Sequence, residues 1–503
     1  MGSRGALLSG LGLLSSALVI TAGVDVARAQ CQANELVKLT AQDAAQSDKF
    51  GRSASFDGDT IVIGAFGDEN ETGAAYVFVG DGPDWIQQAK LVAPDGQVTD
   101  YFGWSVAIDG DSVVVACRHD DDLGDNSGSA YVFVRDGTTW SLQAKLLADD
   151  GEPVDLFGES VAIDGDTVVV GAIGDDDVAD RAGAAYVFVR DGTSWSQQAK
   201  LLADDAGIRD EFGTSVTIAG DTIVVGSIGD DDNGDCAGAA YVYQRNGTTW
   251  TKQAKLLADD GAMSDNFGMS VSLRGDRVVV GTPADDDGGA TSGSAYLFVR
   301  DGADWEQEQK LVASDASPNA QFGESVSLLG DLLVVGAVNE ANQGGSGAGS
   351  AYVFVRNETV PWIQAAKLLA SDADVVDSFG SSVALSGDMV IVGARNDDDA
   401  GNNSGSAYLF RGLSDCNGND TLDLCDITDG TSDDDDGNGI PDECECAGDL
   451  DGDGDTDQAD LGILLADWGC TGGDCPGDLN GDGSTNQVDL GILLGDWGCG
   501  VGP

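Results

Sequence analysis

An all-β fold of seven four-stranded sheets set radially as blades, closed into a ring by the chain's own first strand and followed by two small C-terminal modules, is predicted by three observations. A unit beginning Phe-Gly recurs seven times, at Phe50, Phe102, Phe157, Phe212, Phe267, Phe322 and Phe379, in steps of 52, 55, 55, 55, 55 and 57 residues. Each copy carries four short runs with strand periodicity, divided by Asp-Gly turns and one polar loop. The last copy lacks its fourth run, and a spare one stands ahead of the first. A repeat of this length cannot bury its own apolar faces, so neighbouring copies must bury them, and radial packing of such sheets is a seven-bladed β-propeller.

The third copy shows the elements in order. Residues Ser160 to Ile163 alternate apolar and polar, as a half-buried strand a requires. The Asp164-Gly165-Asp166 run supplies the positive-φ turn of a tight hairpin, and Thr167 to Ala172 is a β-branched strand b. A polar loop from Gly174 to Gly183 leads to strand c at Ala184 to Arg190, a second Asp-Gly turn at Asp191-Gly192, and strand d at Trp195 to Ala203. Strand d carries a Lys twelve residues before the next Phe-Gly, at Lys90, Lys145, Lys200, Lys255, Lys310 and Lys367. The seventh copy stops after strand c at Arg411, but Leu36-Val37-Lys38-Leu39 has the strand-d pattern and Lys38 also precedes Phe50 by twelve. The N-terminal strand therefore closes blade seven.

Phe-Gly, then Ser-Val, Val-Gly-Ala and Gly-x-Ala-Tyr-Val-Phe, resembles the FG-GAP repeat of integrin-α-type propellers and their bacterial relatives, over about Glu35 to Gly412. Such blades often carry an Asp-x-Asp-x-Asp-Gly calcium loop between strands a and b. Here that connection is only Asp-Gly-Asp, so the family's calcium sites do not transfer by position.

Residues 1–29 hold Arg4, an apolar stretch from Ala6 to about Ala22, and Ala27-Arg28-Ala29 before Gln30, the pattern of a cleaved secretory signal. No membrane insertion is expected after cleavage. With 88 Asp plus Glu against 24 Lys plus Arg, the net charge of −64 excludes non-specific nucleic-acid binding and disfavours anionic membranes. Cations, divalent ones above all, are the natural partners, although acidity also serves solubility.

Carboxylates cluster between strands b and c, at Asp120 to Asp122, Asp175 to Asp177, Asp230 to Asp232, Asp285 to Asp287 and Asp397 to Asp399, with Asp68-Glu69-Asn70-Glu71 and Asn339-Glu340 in blades one and six. The b-to-c and d-to-a connections of such a blade emerge on one face, which is thus acidic and built of longer loops, where ligands are commonly met. The clusters read either as metal sites or as a solvated rim. The Tyr column (Tyr76, Tyr131, Tyr186, Tyr241, Tyr296, Tyr352, Tyr408) and the Trp column (Trp85 to Trp362) read as packing between blades. Cys117 reads as a buried thiol, Cys236 as free or paired, and His119, the single His, as a surface loop residue. No catalytic constellation stands out from the repeat, so no catalytic residue is expected and the chain is not expected to be an enzyme.

After Arg411 neither Lys nor Arg recurs, and seven of the ten cysteines lie there, which sets domain limits of 1–29, 30–412, 413–446 and 447–503. The runs Asp415 to Asp426 and Asp434 to Glu445 align at an offset of nineteen. Their alternating Asp and Asn around Gly resemble the calcium-wrapping type 3 repeats of thrombospondins. With almost no apolar residues, this Asp/Cys-rich segment is expected to order only on calcium and disulfides. Cys416, Cys425, Cys444 and Cys446 could form two bridges of open pairing.

In the last module, Asp449, Asp451, Asp453, Gly454, Asp455, Asp457 and Asp460 fall at positions 1, 3, 5, 6, 7, 9 and 12 of a twelve-residue loop; Asp478, Asn480, Asp482, Gly483, Ser484, Asn486 and Asp489 repeat them 29 residues later. This is EF-hand spacing: oxygens at alternate positions surround Ca2+ and Gly at position 6 permits the sharp bend. The metal ligands read from it are Asp449, Asp451, Asp453, Asp455 and Asp460, with Asp478, Asn480, Asp482, Ser484 and Asp489. Each loop runs into one helix, Leu461 to Trp468 and Leu490 to Trp497. A duplicated loop and exiting helix resembles a type I dockerin, over about Gly448 to Gly498. Gln458-Ala459 and Gln487-Val488 replace the Ser or Thr that often select a dockerin's partner, and the short join holds Cys470 and Cys475.

The function expected is that of a secreted or cell-surface, non-catalytic binding or adhesion protein. The propeller presents its acidic face to a ligand, and the calcium modules dock it to a cohesin-like or cell-surface protein or to a polysaccharide. The alternative is an accessory or enzymatic component of an extracellular polysaccharide-degrading assembly.

Overall fold

The computed structural model describes residues 31–33, 35–357, 360–414, 421–429, 431–432, 441, 456, 458–471, 475, 477, 479 and 484–495. The signal segment expected at 1–29 lies outside them. Seven sheets account for the described propeller. Blade three runs Phe157–Asp164, Thr167–Ala172, Ala184–Asp191 and Ser194–Leu201, antiparallel and in sequence order. Strand b matches the sequence reading residue for residue, whereas strand a begins three residues earlier, at the Phe-Gly itself. The aromatic side chain is why: Phe157 is buried and meets the rings of Tyr186 and Phe188 on strand c edge-on, at 5.4 and 5.9 Å. The same arrangement recurs in every blade, and truncating one such Phe to Ala costs about 3–5 kcal/mol.

The core sits between blades. Val114, Val132 and Leu146 of blade two form one cluster with Phe157, Val168 and Tyr186 of blade three, and the other clusters likewise join neighbours. The Phe-Gly glycine permits the approach. Gly213 has φ +100°, and a Cβ there would stand 2.4 Å from the Ala184 carbonyl oxygen of blade three. On the outer rim, strand d has a bulge at Gln198, between Gln197 and Ala199. The bulged amide accepts a hydrogen bond from Trp250 Nε1 of the next blade at 3.1 Å, and Gln88, Gln143 and Gln253 receive Trp140, Trp195 and Trp305 in the same way. Four of the six Trp therefore latch outer strands together, whereas Trp85 Nε1 bonds the Gly82 carbonyl of its own turn and Trp362 Nε1 has no hydrogen-bond partner among the described residues.

Ring closure follows the expected pairing. Val37–Leu39 lies antiparallel to Ser406–Phe410, with Val37 opposite Leu409, Lys38 opposite Tyr408 and Leu39 opposite Ala407, completing the seventh sheet.

Two features depart from the sequence reading. Cys31–Ala33 adds a fifth, parallel strand to blade six, on Val360–Leu368. The chain must pass that open edge on its way to blade seven, and three residues suffice to pair with it. Residues Asp423–Asp429 form a short helix where calcium and disulfides alone were expected to give order. Leu413, Leu422, Leu424 and Cys425 are buried in the cluster that holds Val392, Tyr408 and Phe410, so this part of the segment borrows the propeller's core. Cys425 is also disulfide-bonded.

In the last module the helices are Gln458–Ala466 and Gln487–Gly495, each starting three residues earlier than read, so that loop position 12 falls in the first turn. Leu464 and Leu493 are fully buried, and the two halves join through a Thr471–Ser484 bridge. A Cys470–Cys475 disulfide closes the connection. Among the described residues no helix is long and apolar enough to cross a membrane.

Candidate functional site

The acidic face is built from one network repeated around the ring. In blade four, the first Asp of the triplet, Asp230, is buried beneath the loop, and its Oδ1 accepts the Asp232 amide at 3.1 Å. The middle carboxylate, Asp231, accepts the Cys236 amide and so fixes the far side of the same loop. The Tyr241 hydroxyl lies 2.7 Å from Asp230 Oδ2 and 2.8 Å from Asp205 Oδ1, in the preceding d-to-a connection. Its one proton can serve one carboxylate at a time. The remaining charge is met by Lys255, whose ammonium stands 2.9 Å from Asp205, 2.7 Å from Asp230 and 2.6 Å from Asp232.

Lys145, Lys200 and Lys310 repeat this triple contact in blades two, three and five. Lys38, carried in on the closing strand, repeats it in blade seven with Asp372, Asp397 and Asp399. In blades one and six, where the triplet is altered, Lys90 meets Asp43 and Asp68, and Lys367 meets Asp315 and Glu340. The charge a divalent ion would bring is thus brought by the chain's own ammonium groups. The lysine was legible only as a marker of blade number.

The electrostatics follow. Burial works to lower the Lys255 pKa, but hydrogen bonds to Asp230, Asp232 and Asp205 outweigh it and raise it. Burial likewise works to raise Asp205, yet its hydrogen bonds to Lys255 and Tyr241 bring it below the usual carboxylate value. Burial, with the neighbouring Asp230 and Asp205 carboxylates, pushes the Tyr241 phenol up. A second carboxylate, two residues before the Phe-Gly in every blade but the sixth, where Ala320 stands, behaves oppositely. Asp155 is buried, accepts the Glu152 amide at 2.8 Å and has no ammonium against it; burial, reinforced by Asp175 and Asp176, pushes it up to about 6. Asp48, Asp100 and Asp377 are also pushed up to about 6.

Cys117 is a buried free thiol, as read, and Cys236 is exposed and free. His119 departs from the reading of a surface loop residue. It is half-buried, its ring 4.6 Å from that of Tyr101, and burial followed by the nearby Arg118 lowers its pKa.

Of the calcium ligands read from the sequence, Asp460, Ser484 and Asp489 are described, whereas Asp449, Asp451, Asp453, Asp455, Asp478, Asn480 and Asp482 lie outside the described residues. Asp460 and Asp489 are both fully buried at the start of their helices. Asp489 Oδ2 accepts the Asn486 amide at 2.7 Å while Asn486 Oδ1 accepts the Val488 amide at 2.9 Å, a reciprocal cap that orients the carboxylate.

A radial ring of seven antiparallel sheets with one acidic loop face defines a β-propeller of repeat type. The FG-GAP repeat model matches seven segments, 34–78, 85–133, 140–188, 195–243, 250–298, 305–354 and 362–410, and the chain belongs to the FG-GAP repeat family. No curated protein matches it. Among solved structures, the crystal structure of Saccharomyces cerevisiae Sqt1 is similar over 76% of this chain and 99% of its own, at 12% identity and a TM-score of 0.43, a likeness that carries no argument about function.

Proposed function

We propose that this protein is a secreted or cell-surface, non-catalytic binding or adhesion protein whose propeller presents its acidic loop face to a ligand. The observation that carries the reading is the repeated rim. In five blades Lys, Tyr and the first Asp of the triplet pin the loop, and the third Asp, touched by the same Lys, still faces outward, with side-chain exposure from 48% for Asp122 to 64% for Asp287. Outward carboxylates on five of the seven blades suit an extended, cationic or calcium-bridged ligand that engages several blades at once.

The C-terminal modules dock the protein to a partner, a cohesin-like or cell-surface protein or a polysaccharide. Burial of Asp460 and Asp489 in a part of the chain without Lys or Arg supports Ca2+ there, because a buried carboxylate needs a counter-charge. Asp449, Asp451, Asp453 and Asp455 would complete the first loop with Asp460; Asp478, Asn480, Asp482 and Ser484 would complete the second with Asp489.

Retention of the purified chain on polysaccharide and on cell surfaces, with and without calcium, tests the reading. Replacing Asp122, Asp177 and Asp232 together by Asn is expected to abolish retention by the propeller face. In a hydrolase assay over the same polysaccharides no turnover is expected, and turnover abolished by a single carboxylate substitution would overturn the proposal.

A further inference from the structure

The central channel opens on the acidic side through a mouth where the repeat breaks down. The residue after each Phe-Gly is Arg52, Trp104, Glu159, Thr214, Met269, Glu324 and Ser381 around the ring, and all seven line a cavity of about 200 Å³. The residue after each Val-Gly-Ala position adds Arg118 in blade two and Arg395 in blade seven. Three guanidiniums thus come from three consecutive blades, seven, one and two, and the same position carries a carboxylate further round, Glu159 on blade three and Glu324 on blade six.

The cations are unevenly matched. Arg118 lies 4.3 Å from the Trp104 ring centroid and forms an ion pair with Glu159 Oε2 at 2.9 Å, yet neither its buried Nε nor that oxygen has a hydrogen-bond partner among the described residues. Arg395 reaches Glu324 only at 3.8 Å. Arg52 lies 4.5 Å from the Trp104 ring centroid and has no carboxylate partner among the described residues. Behind it, Lys49 hydrogen-bonds the neutral Asn396 amide at 2.7 Å. With the Arg181–Glu211 pair beside them, five cations here face three carboxylates, in a chain whose net charge is −64. Burial and then mutual repulsion lower the pKa values: Arg52 acts on Arg395, and Arg395 on Lys49.

We propose that the arc of Arg395, Arg52 and Arg118 at the channel mouth binds a small aliphatic dicarboxylate. The planar guanidinium fork matches a carboxylate. The same mouth already sets guanidiniums against carboxylates, Arg118 beside Glu159 and Arg181 hydrogen-bonded to Glu211, and Arg52 is the member left without one. Two surplus positive charges call for two carboxylates, and the cavity is below the size that takes drug-sized molecules. Trp104 holds Arg52 and Arg118 against its ring, so the site is preformed. This site lies apart from the outer rim and does not depend on the display role proposed above.

Succinate is the probe, titrated by calorimetry into the full chain at low ionic strength, with inorganic phosphate as the comparison anion. One saturable site is expected, with phosphate at least tenfold weaker. Arg52→Gln is expected to weaken succinate at least tenfold, and Lys252→Gln, on an outer strand, to leave it unchanged. Glu324→Gln releases Arg395 from its internal carboxylate and is expected to tighten binding severalfold, a gain that a misfolded variant cannot mimic. Absence of saturable succinate binding, phosphate binding as tightly, or Glu324→Gln without gain would each overturn the proposal.

Discussion

Two parts of this chain gather aspartates at short spacing and resolve the repulsion in different ways. On the propeller rim, Asp205, Asp230 and Asp232 converge on Lys255, which arrives from strand d of the same blade. In the C-terminal loops the spacing is equally dense, but after Arg411 the sequence holds no Lys or Arg. The rim carries its counter-charge in the chain. On the function proposed above the loops take theirs from solution, and their folding is then expected to be conditional. Similar acidic patterns are then expected to show opposite dependences on divalent ions, and the discriminating residue is a lysine distant in sequence.

The largest effect expected from this contrast is on calcium removal. Chelation of the full chain should melt the helices Gln458–Ala466 and Gln487–Gly495 while leaving the propeller transition in place, read by circular dichroism and calorimetry. About two calcium ions per chain are expected, and Asp449→Ala with Asp478→Ala should abolish their uptake. A propeller midpoint that falls with chelator would break the comparison, because the rim would then also depend on bound ions.

The next effect is to turn one part into the other. Lys255→Ala leaves buried Asp230 beside Asp205 and Asp232 without an ammonium. The cost expected is about 2–3 kcal/mol, between the values for exposed and buried pairs. Calcium should restore part of it in the variant and do nothing for the parent protein, measured as the shift in melting temperature. An equal response in both proteins would show that the ammonium is not what replaces the ion.

Much of this was legible before any coordinates. Thr167–Ala172 could be read from β-branched periodicity, and the closing pairing of Lys38 with Tyr408 from the fixed offset between Lys and Phe-Gly. The lysine's chemical role could not be read, because Lys255 meets Asp232 23 residues away and Asp205 50 away, separations that no local pattern marks. The channel mouth was hidden for a related reason. Arg52, Arg118 and Arg395 stand at positions where the repeat varies, and variation inside a repeat reads as noise until ring closure brings blade seven beside blade one. The helix Asp423–Asp429 was missed because its few apolar residues pack on a core that belongs to another part of the chain.

The smallest effect expected distinguishes the two rings of carboxylates within the propeller itself. Asp155 titrates at about 6 in the folded protein against an ordinary 3.8, so the folded state holds this proton more tightly than the unfolded one. Its contribution to stability is therefore full below about pH 4 and is lost as pH rises through about 6. Asp48, Asp100 and Asp377 act in the same sense. Asp205 and Asp260 are lowered instead, so their contribution is present above the ordinary value and is lost only as pH falls through their depressed values, below that window. Of the two rings only the first titrates between pH 5 and 7.5. His119, lowered from 6.5, acts in the opposite sense but is one group against four, so the propeller should melt at a higher temperature at pH 5 than at pH 7.5. Asp155→Asn keeps an oxygen for the Glu152 amide and removes the charge. It should stabilise the protein at pH 7.5 by on the order of 1–3 kcal/mol, with little effect at pH 4. Melting curves of parent and variant that stay parallel from pH 4 to 7.5 would place the Asp155 proton elsewhere and remove the distinction between the two rings.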